Sequence, residues 1–260
     1  MNPPIVTLLT DFGSSDHYAG AMKGVILAIC PDARLVDVSH EIDPYDITGA
    51  AFTLSQAWSC FPKGTVHLIV VDPGVGGTRR ALIAEAEGHL FVAPDNGILS
   101  LVSPAIAARE ITEDQFFRKP VSQTFHGRDI FAPVAAHLAM GSEPAAFGKA
   151  ILDPVILPIS KPIEKNSGEW VGIVLRVDHF GNIVTNFRSH FFVEKCAGEF
   201  EIRIGSSVIV HLAKSYNEMT KSELFAIAGS SGYLEISVNK GSAAEILDCA
   251  PGCQIHLKRY

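Results

Sequence analysis

The chain opens on an apolar run, Ile5–Thr10, that ends in the polar turn Asp11-Phe12-Gly13-Ser14-Ser15. A short apolar run closed by turn residues predicts a buried strand. Met22, Val25, Ile26 and Ile29 then recur at helical spacing until Pro31 stops the helix. Residues 35–38 read as a second strand. A second helix over 46–60 is entered after Pro44 and closed before Pro62, and 66–71 reads as a third strand. That third strand is almost wholly apolar and β-branched, as a parallel strand covered on both faces should be. Residues 81–86 and 90–93 flank Glu87-Gly88-His89 and predict a hairpin, and 129–140 predicts a third helix whose start Pro133 delays.

This alternation predicts an α/β fold: an N-terminal layered α/β domain with a largely parallel sheet, over residues 1–160. The polar, turn-rich stretch 161–169 reads as a linker. Beyond it the period changes. Runs at 170–177, 183–187, 200–204, 208–211, 224–228 and 233–238 are short, strand-like and separated by Gly, Ser and Asn. They predict a smaller antiparallel β domain, barrel-like, over 170–260.

Polar clusters fall where strands end, the side of an α/β sheet on which ligands bind. They are Asp11, the loop Asp72-Pro73-Gly74-Val75-Gly76-Gly77-Thr78-Arg79-Arg80, Asp95-Asn96-Gly97, and Thr124-Phe125-His126-Gly127-Arg128-Asp129. The second half adds Asp178-His179-Phe180-Gly181-Asn182 and Gly229-Ser230-Ser231-Gly232-Tyr233. Each alone has an ordinary reading, because an Asp before Gly or Pro often only bonds its own turn. Arg80 and Arg128 fit structural ion pairs, and His137 fits a helix face. The Gly74/Gly76/Gly77 loop has neither dinucleotide-site nor P-loop spacing, and no zincin helix or nucleophile elbow appears. Asp72, Asp95, His126 and Asp129 would be the donors of any metal, without paired cysteines to support one.

A net charge of −7 gives no basic face for nucleic acid. Five cysteines without framework spacing suit a reducing compartment. With neither a signal-like start nor an apolar run of membrane length, a cytoplasmic protein is expected.

In this order and over nearly the whole chain, the clusters resemble the S-adenosylmethionine hydroxide adenosyltransferases, relatives of the bacterial fluorinase and chlorinase. The resemblance runs from Leu9-Thr10-Asp11-Phe12-Gly13 through Asp72-Pro73-Gly74, Pro94-Asp95-Asn96-Gly97 and Phe125-His126-Gly127-Arg128-Asp129 to Phe180-Gly181-Asn182-Ile183-Val184-Thr185-Asn186 and Leu234-Glu235-Ile236. It implies hydrolysis of S-adenosylmethionine to adenosine and methionine without a metal or other cofactor. The implied catalytic triad is Asp72, Arg79 and His126, with Arg80 the competing arginine. Whether Asp72 or His126 is the base stays open. The halogenases place a tyrosine, a threonine and a serine where this chain has Asp72, Val75 and Gly127, which argues for water over halide. A halogenase, or a non-catalytic adenosine or S-adenosylmethionine binder, is the alternative.

Ligand contacts carry over as Asp11 for the ribose hydroxyls and Asp178 and Asn182 for the methionine end. Phe125, Phe180, Tyr45 and Tyr216 carry over as walls, Ser230 and Ser231 as contacts to the adenine edge, and Asn96 and Thr124 as neighbours. The resemblance also implies a homotrimer with sites between subunits.

Overall fold

In the computed structural model, which describes residues 2–103, 106–158, 161–195 and 198–260, the first half runs β1 (Ile5–Thr10), α1 (Tyr18–Ile29), β2 (Arg34–Ser39), α2 (Ile47–Ala57) and β3 (Val66–Val70). A hairpin of β4 (Ala81–Ala86) and β5 (His89–Pro94) follows, then β6 (Ala107–Glu110), α3 (Ala132–Ala139) and β7 (Ala150–Ile151). The sheet order is β2-β1-β3-β5-β4-β6-β7. The pairings from β2 to β5 are parallel, and β4, β6 and β7 extend the sheet antiparallel.

Alternation along the central strands feeds two cores, because successive side chains point to opposite faces. Val6 and Leu8 of β1 and Leu68 and Val70 of β3 pack with Met22 and Ile26 of α1 and Val134 of α3. Leu9, Ile69 and Val71 pack the other way, with Ala50 and Leu54 of α2 and Trp58 just beyond it. The sheet is therefore sandwiched between helices, which is why β3 is buried at every position. On the α2 face Thr7 and His67 meet at 2.8 Å and His67 meets His89 at 3.1 Å. Burial, then the neighbouring His89, pushes His67 down to about 3, so His67 is uncharged at neutral pH.

Asp46 caps α2, its carboxylate accepting from Gly49 N–H at 2.8 Å. The helix expected over 129–140 is two pieces, a π-helical turn Gly127–Phe131 and then α3 with Pro133 in its first turn. The proline cannot bond back to the preceding turn, and Asp129 O, four residues earlier, accepts instead from Arg118 N–H at 2.9 Å.

Contact density divides the chain into two units, Met1–Leu157 and Pro158–Tyr260. Stretch 161–169, expected to be a linker, holds β8 (Ile163–Asn166), which pairs antiparallel with β9 (Glu169–Val177). Its turn residues make a hairpin tip rather than a boundary.

The second unit continues with β10 (Ile183–Arg188), α4 (Ser189–Lys195), β11 (Phe200–Ile204), β12 (Ser207–Ile209), β13 (Leu212–Ala213), β14 (Leu224–Ala228), β15 (Tyr233–Val238), α5 (Ala243–Leu247) and β16 (Gln254–Arg259). Its nine-stranded sheet has the order β12-β11-β16-β9-β10-β15-β14-β13, with β8 beside β9, and it curls into a half-barrel. Every pairing is antiparallel except β13 with β14. Its inward residues, among them Val174, Ile183, Phe187, Leu234, Ile236 and Ile255, form a core of their own. No helix among the described residues is long and apolar enough to cross a membrane.

Candidate active site

β1 and β3 lie parallel and adjacent, with Thr10 opposite Val70. The loops that begin at Asp11 and Asp72 therefore leave the sheet at neighbouring points. From β1 the chain passes through α1 to β2 on one side, then through α2 to β3 on the other side of β1. Diverging connections leave a crevice at the carboxyl ends of such strands, where α/β sheets bind ligands. A cleft of about 340 Å³ opens there, and its lining includes Asp11, Tyr45, Asp72, Val75, Thr124, Phe125 and His126. That volume lies in the range of small-molecule sites.

Behind two of these lining residues, Asp72 and His126, Arg79 binds both at once. Its Nε donates to the Asp72 carboxylate at 2.9 and 3.0 Å, and its Nη2 reaches the same carboxylate. Nη2 also lies 2.8 Å from His126 Nδ1. Both Asp72 and Arg79 are largely withdrawn from solvent, and the guanidinium sits over the Phe131 ring at 5.2 Å.

An arginine can only donate, so Nδ1 of His126 must be the accepting nitrogen. The proton of the neutral imidazole is then on Nε2. Burial, then the positive Arg79, lowers the His126 pKa, while Asp72 and Asp129 pull it back up. His126 is thereby held in its neutral form.

Arg80 is engaged elsewhere. Its Nε donates to Asp95 at 2.8 Å and its Nη1 to Asp153 at 2.9 Å, while Nη2 donates to the Asp153 carbonyl at 2.7 Å. Asp95 accepts from Val155 N–H at 2.8 Å as well. Arg80 ties down the 153–155 segment, and the arginine that bridges Asp72 and His126 is Arg79.

The remaining residues of this unit divide between cleft and scaffold. Asp11 lines the cleft, and its Oδ2 accepts from Tyr45 N–H at 2.9 Å, which holds the 72% exposed Tyr45 at the rim with φ of 69°. Thr124 and Phe125 line it too, Phe125 packing edge-on against Phe12 and Tyr18. Asn96 is spent on backbone, donating to Val71 O at 2.9 Å and accepting from Ile98 N–H at 3.2 Å, and it does not line the cleft.

The loop that carries His126 is folded around Asp129, and the loop that carries Asp72 and Arg79 is fitted to it. Gly76 has φ of +75°, and a Cβ there would come within 2.3 Å of Gln123 O, so only glycine lets the two backbones approach. Among the described residues no group of three or more His, Cys, Asp or Glu is arranged to hold a metal ion.

In the second unit Asp178 folds the β9–β10 turn. It accepts from Phe180 N–H at 2.8 Å and from Asn182 through N–H at 2.9 Å and Nδ2 at 2.8 Å. Phe180 is left 75% exposed. Tyr216 and Ser231 meet at Glu235, each hydroxyl 3.3 Å from its carboxylate, while Ser230 stands exposed in the same β14–β15 turn.

Glu235 was not singled out from the sequence. It lies in β15, buried at all six positions, and a Cβ on Gly229 would be 1.9 Å from its Oε1. The absence of a side chain at 229 reserves the space this carboxylate fills. A lone carboxylate in a strand with no exposed face was the readable signal.

Two family models cover the chain. That of the SAM hydroxide adenosyltransferase N-terminal domain matches residues 6–148, and that of the C-terminal domain matches 172–256. A relative from Salinispora tropica named (R)-S-adenosyl-L-methionine hydrolase is 36% identical over 259 residues, which is 98% of this chain and 97% of that one. A protein from Actinoplanes sp. named fluorinase is 29% identical over 212 residues, 70% of this chain and 71% of that one. An uncharacterized conserved protein from Thermotoga maritima has the same fold, with a TM-score of 0.91 and 38% identity over 98% of this chain and 100% of that one. With both halves matched, and with full-length relatives above a third identity, the chain belongs to the SAM hydroxide adenosyltransferase family.

Proposed function

We propose that the chain hydrolyses S-adenosyl-L-methionine, in the (R) form named for its relatives, to adenosine and L-methionine. The observation that carries this reading is the pairing of Asp72 and His126, both lining the cleft, through the one guanidinium of Arg79.

The substrate brings its own leaving group, because a sulfonium departs as a neutral thioether. The demand falls on the nucleophile, which must be held in line with the C5′–S bond and lose a proton. With its Nδ1 occupied by Arg79, His126 offers a donor rather than an acceptor. Asp72 therefore takes the proton of the attacking water. Its Oδ2 accepts from both Nε and Nη2 of Arg79, while its Oδ1 accepts from Nε and keeps a further lone pair. Arg79 and the Nε2–H of His126 hold the oxygen as its negative charge develops. The proton passes from water to Asp72 and then to solvent, the C5′–S bond breaks, and methionine leaves with the bonding pair. Nothing in this sequence calls on a metal or other cofactor.

Asp72 also speaks against halide as the nucleophile, since a carboxylate beside the attacking atom repels an anion. Asp11 binds the ribose hydroxyls, while Asp178, Asn182, Tyr216, Ser230 and Ser231 serve the rest of the ligand from a trimer in a reducing cytoplasm. Sedimentation would read the trimer directly. The decisive experiment incubates the protein with each sulfonium epimer, with and without halide or chelator, and separates the products. Adenosine and methionine are expected from the (R) epimer, with or without halide or chelator. A halo-adenosine, or nucleoside binding without turnover, would overturn the reading.

A further inference from the structure

Asp129 is fully buried beside the cleft, and no step above uses it. Its carboxylate gathers four donors from one loop: Arg128 Nε and Nη2 at 2.7 Å each, Ser122 N–H at 2.9 Å and Arg118 Nη1 at 3.2 Å. Its carbonyl accepts from Arg118 N–H at 2.9 Å. Segment 118–129 is thus wound around a single carboxylate. The same Arg128 lies 4.9 Å over the Phe125 ring, and Phe125 is a wall of the cleft. His126 lies between these two residues in sequence.

We propose that Asp129 is a positioning residue for the hydrolysis, clamping Arg128 across Phe125 and fixing the place of His126. The proposal rests on the functional reading above and extends it to a residue that touches no reactant. The geometry leaves little else for Asp129 to do. A helix stop or a surface ion pair would not need two arginines and a backbone N–H on one carboxylate, and a bidentate fork fixes direction as well as distance. Gly76 against Gln123 O then transmits the loop's position to the segment that holds Asp72 and Arg79.

The charged groups acting on His126 are Arg79 and Asp72 from the β3–β4 loop and Asp129 from its own segment. Asp129 favours the protonated imidazole, so its removal lowers the His126 pKa further. A misplacement of about 1 Å at a reacting centre costs up to about a hundred-fold in rate.

The test compares the unaltered chain with Asp129→Asn and Arg128→Met. It measures kcat and KM with S-adenosyl-L-methionine, the melting temperature, and the His126 imidazole titration by NMR. Asp129→Asn is expected to lower kcat by about ten- to a hundred-fold with a smaller change in KM. Its His126 titration should move to lower pH. Arg128→Met, which frees Phe125 but keeps the buried carboxylate, is expected to act more on KM. Folded variants with unchanged kcat, KM and His126 titration would overturn the proposal, as would a loss confined to melting temperature. If Asp129→Asn does not fold, Arg128→Met decides by the same readings. If the unaltered chain fails to hydrolyse S-adenosyl-L-methionine, the functional reading fails. The NMR titration still decides whether Asp129 sets His126.

Discussion

Two buried carboxylates, one in each unit, are handled in opposite ways. Burial alone would raise the pKa of Asp129, but Arg128, Ser122 N–H and Arg118 outweigh it and hold the group below the usual carboxylate range. Among the described residues, Glu235 accepts from the hydroxyls of Tyr216 and Ser231 and forms no ion pair. Burial raises it, those two hydroxyls pull it down in part, and the charge on Asp178 pushes it higher. The contrast separates a carboxylate that is ionised at neutral pH, and can organise a loop, from one whose charge is conditional. Arginine forks create the first kind; hydroxyls alone leave the second.

The sharpest way to break the comparison is at the paired carboxylate that faces the cleft. Asp72→Asn keeps the shape and loses the proton acceptor, and turnover should fall by about a hundred- to ten-thousand-fold. Adenosine affinity, read by calorimetry, should hold. Near-normal turnover in this variant would remove Asp72 from the chemistry.

Next in size is the stability of the Asp129 loop. Asp129→Ala strands two arginines and a backbone N–H, and should cost about 3 kcal/mol in urea denaturation. That is the low end for a broken buried pair, because Arg118 and Arg128 reach solvent. A group whose folded pKa is lowered stabilises above its unfolded value, 3.8 for Asp129, and loses that contribution as pH falls through the folded value. The variant should therefore be least penalised in acid.

Glu235→Gln tests the opposite sign. A carboxylate raised in the folded state costs stability as pH climbs from its unfolded value, 4.5, through its folded one. Glutamine keeps the shape without the charge, so the variant should match the parent in acid and equal or exceed it at neutral pH. The change should be about 1 kcal/mol or less. A loss that grows with pH would mean that a cation already satisfies Glu235.

The smallest effect is expected at Arg80, whose partners Asp95 and Asp153 lie outside the cleft. Arg80→Lys should leave turnover near that of the parent, whereas Arg79→Lys breaks the fork and lowers it. Equal effects would dissolve the distinction between the two neighbours.

The α/β alternation and the polar turns at strand ends were legible in the sequence, because apolar runs and Gly, Pro and Asp turns are local signals. So was the antiparallel second half, from runs such as Phe200–Ile204 and Tyr233–Val238. The strands missed were short or paired far along the chain. β6 and β7 have four and two residues, and β16 lies between β11 and β9, with only Ile255 and Leu257 buried to mark it. Arg79 and Arg80 could not be told apart, since adjacent side chains on a loop diverge in directions that only tertiary partners fix. Asn96 looked like a ligand neighbour because an amide in a turn has the same appearance whether it faces a cleft or its own backbone. The base stayed open for a related reason, since the donor that occupies His126 Nδ1 is 47 residues away in sequence.

The contact of Gly76 with Gln123 O carries a last consequence. Because main chain meets main chain there, the spacing of the triad is a property of loop length rather than of the side chains mounted on the loops. Side chains that face the cleft, such as Val75, are then exchangeable without refolding the frame. An insertion of one residue between Pro73 and Thr78 would throw the two loops out of step. Such a frame tolerates changes of chemistry and resists changes of length, so diversification among its descendants is channelled into substitutions.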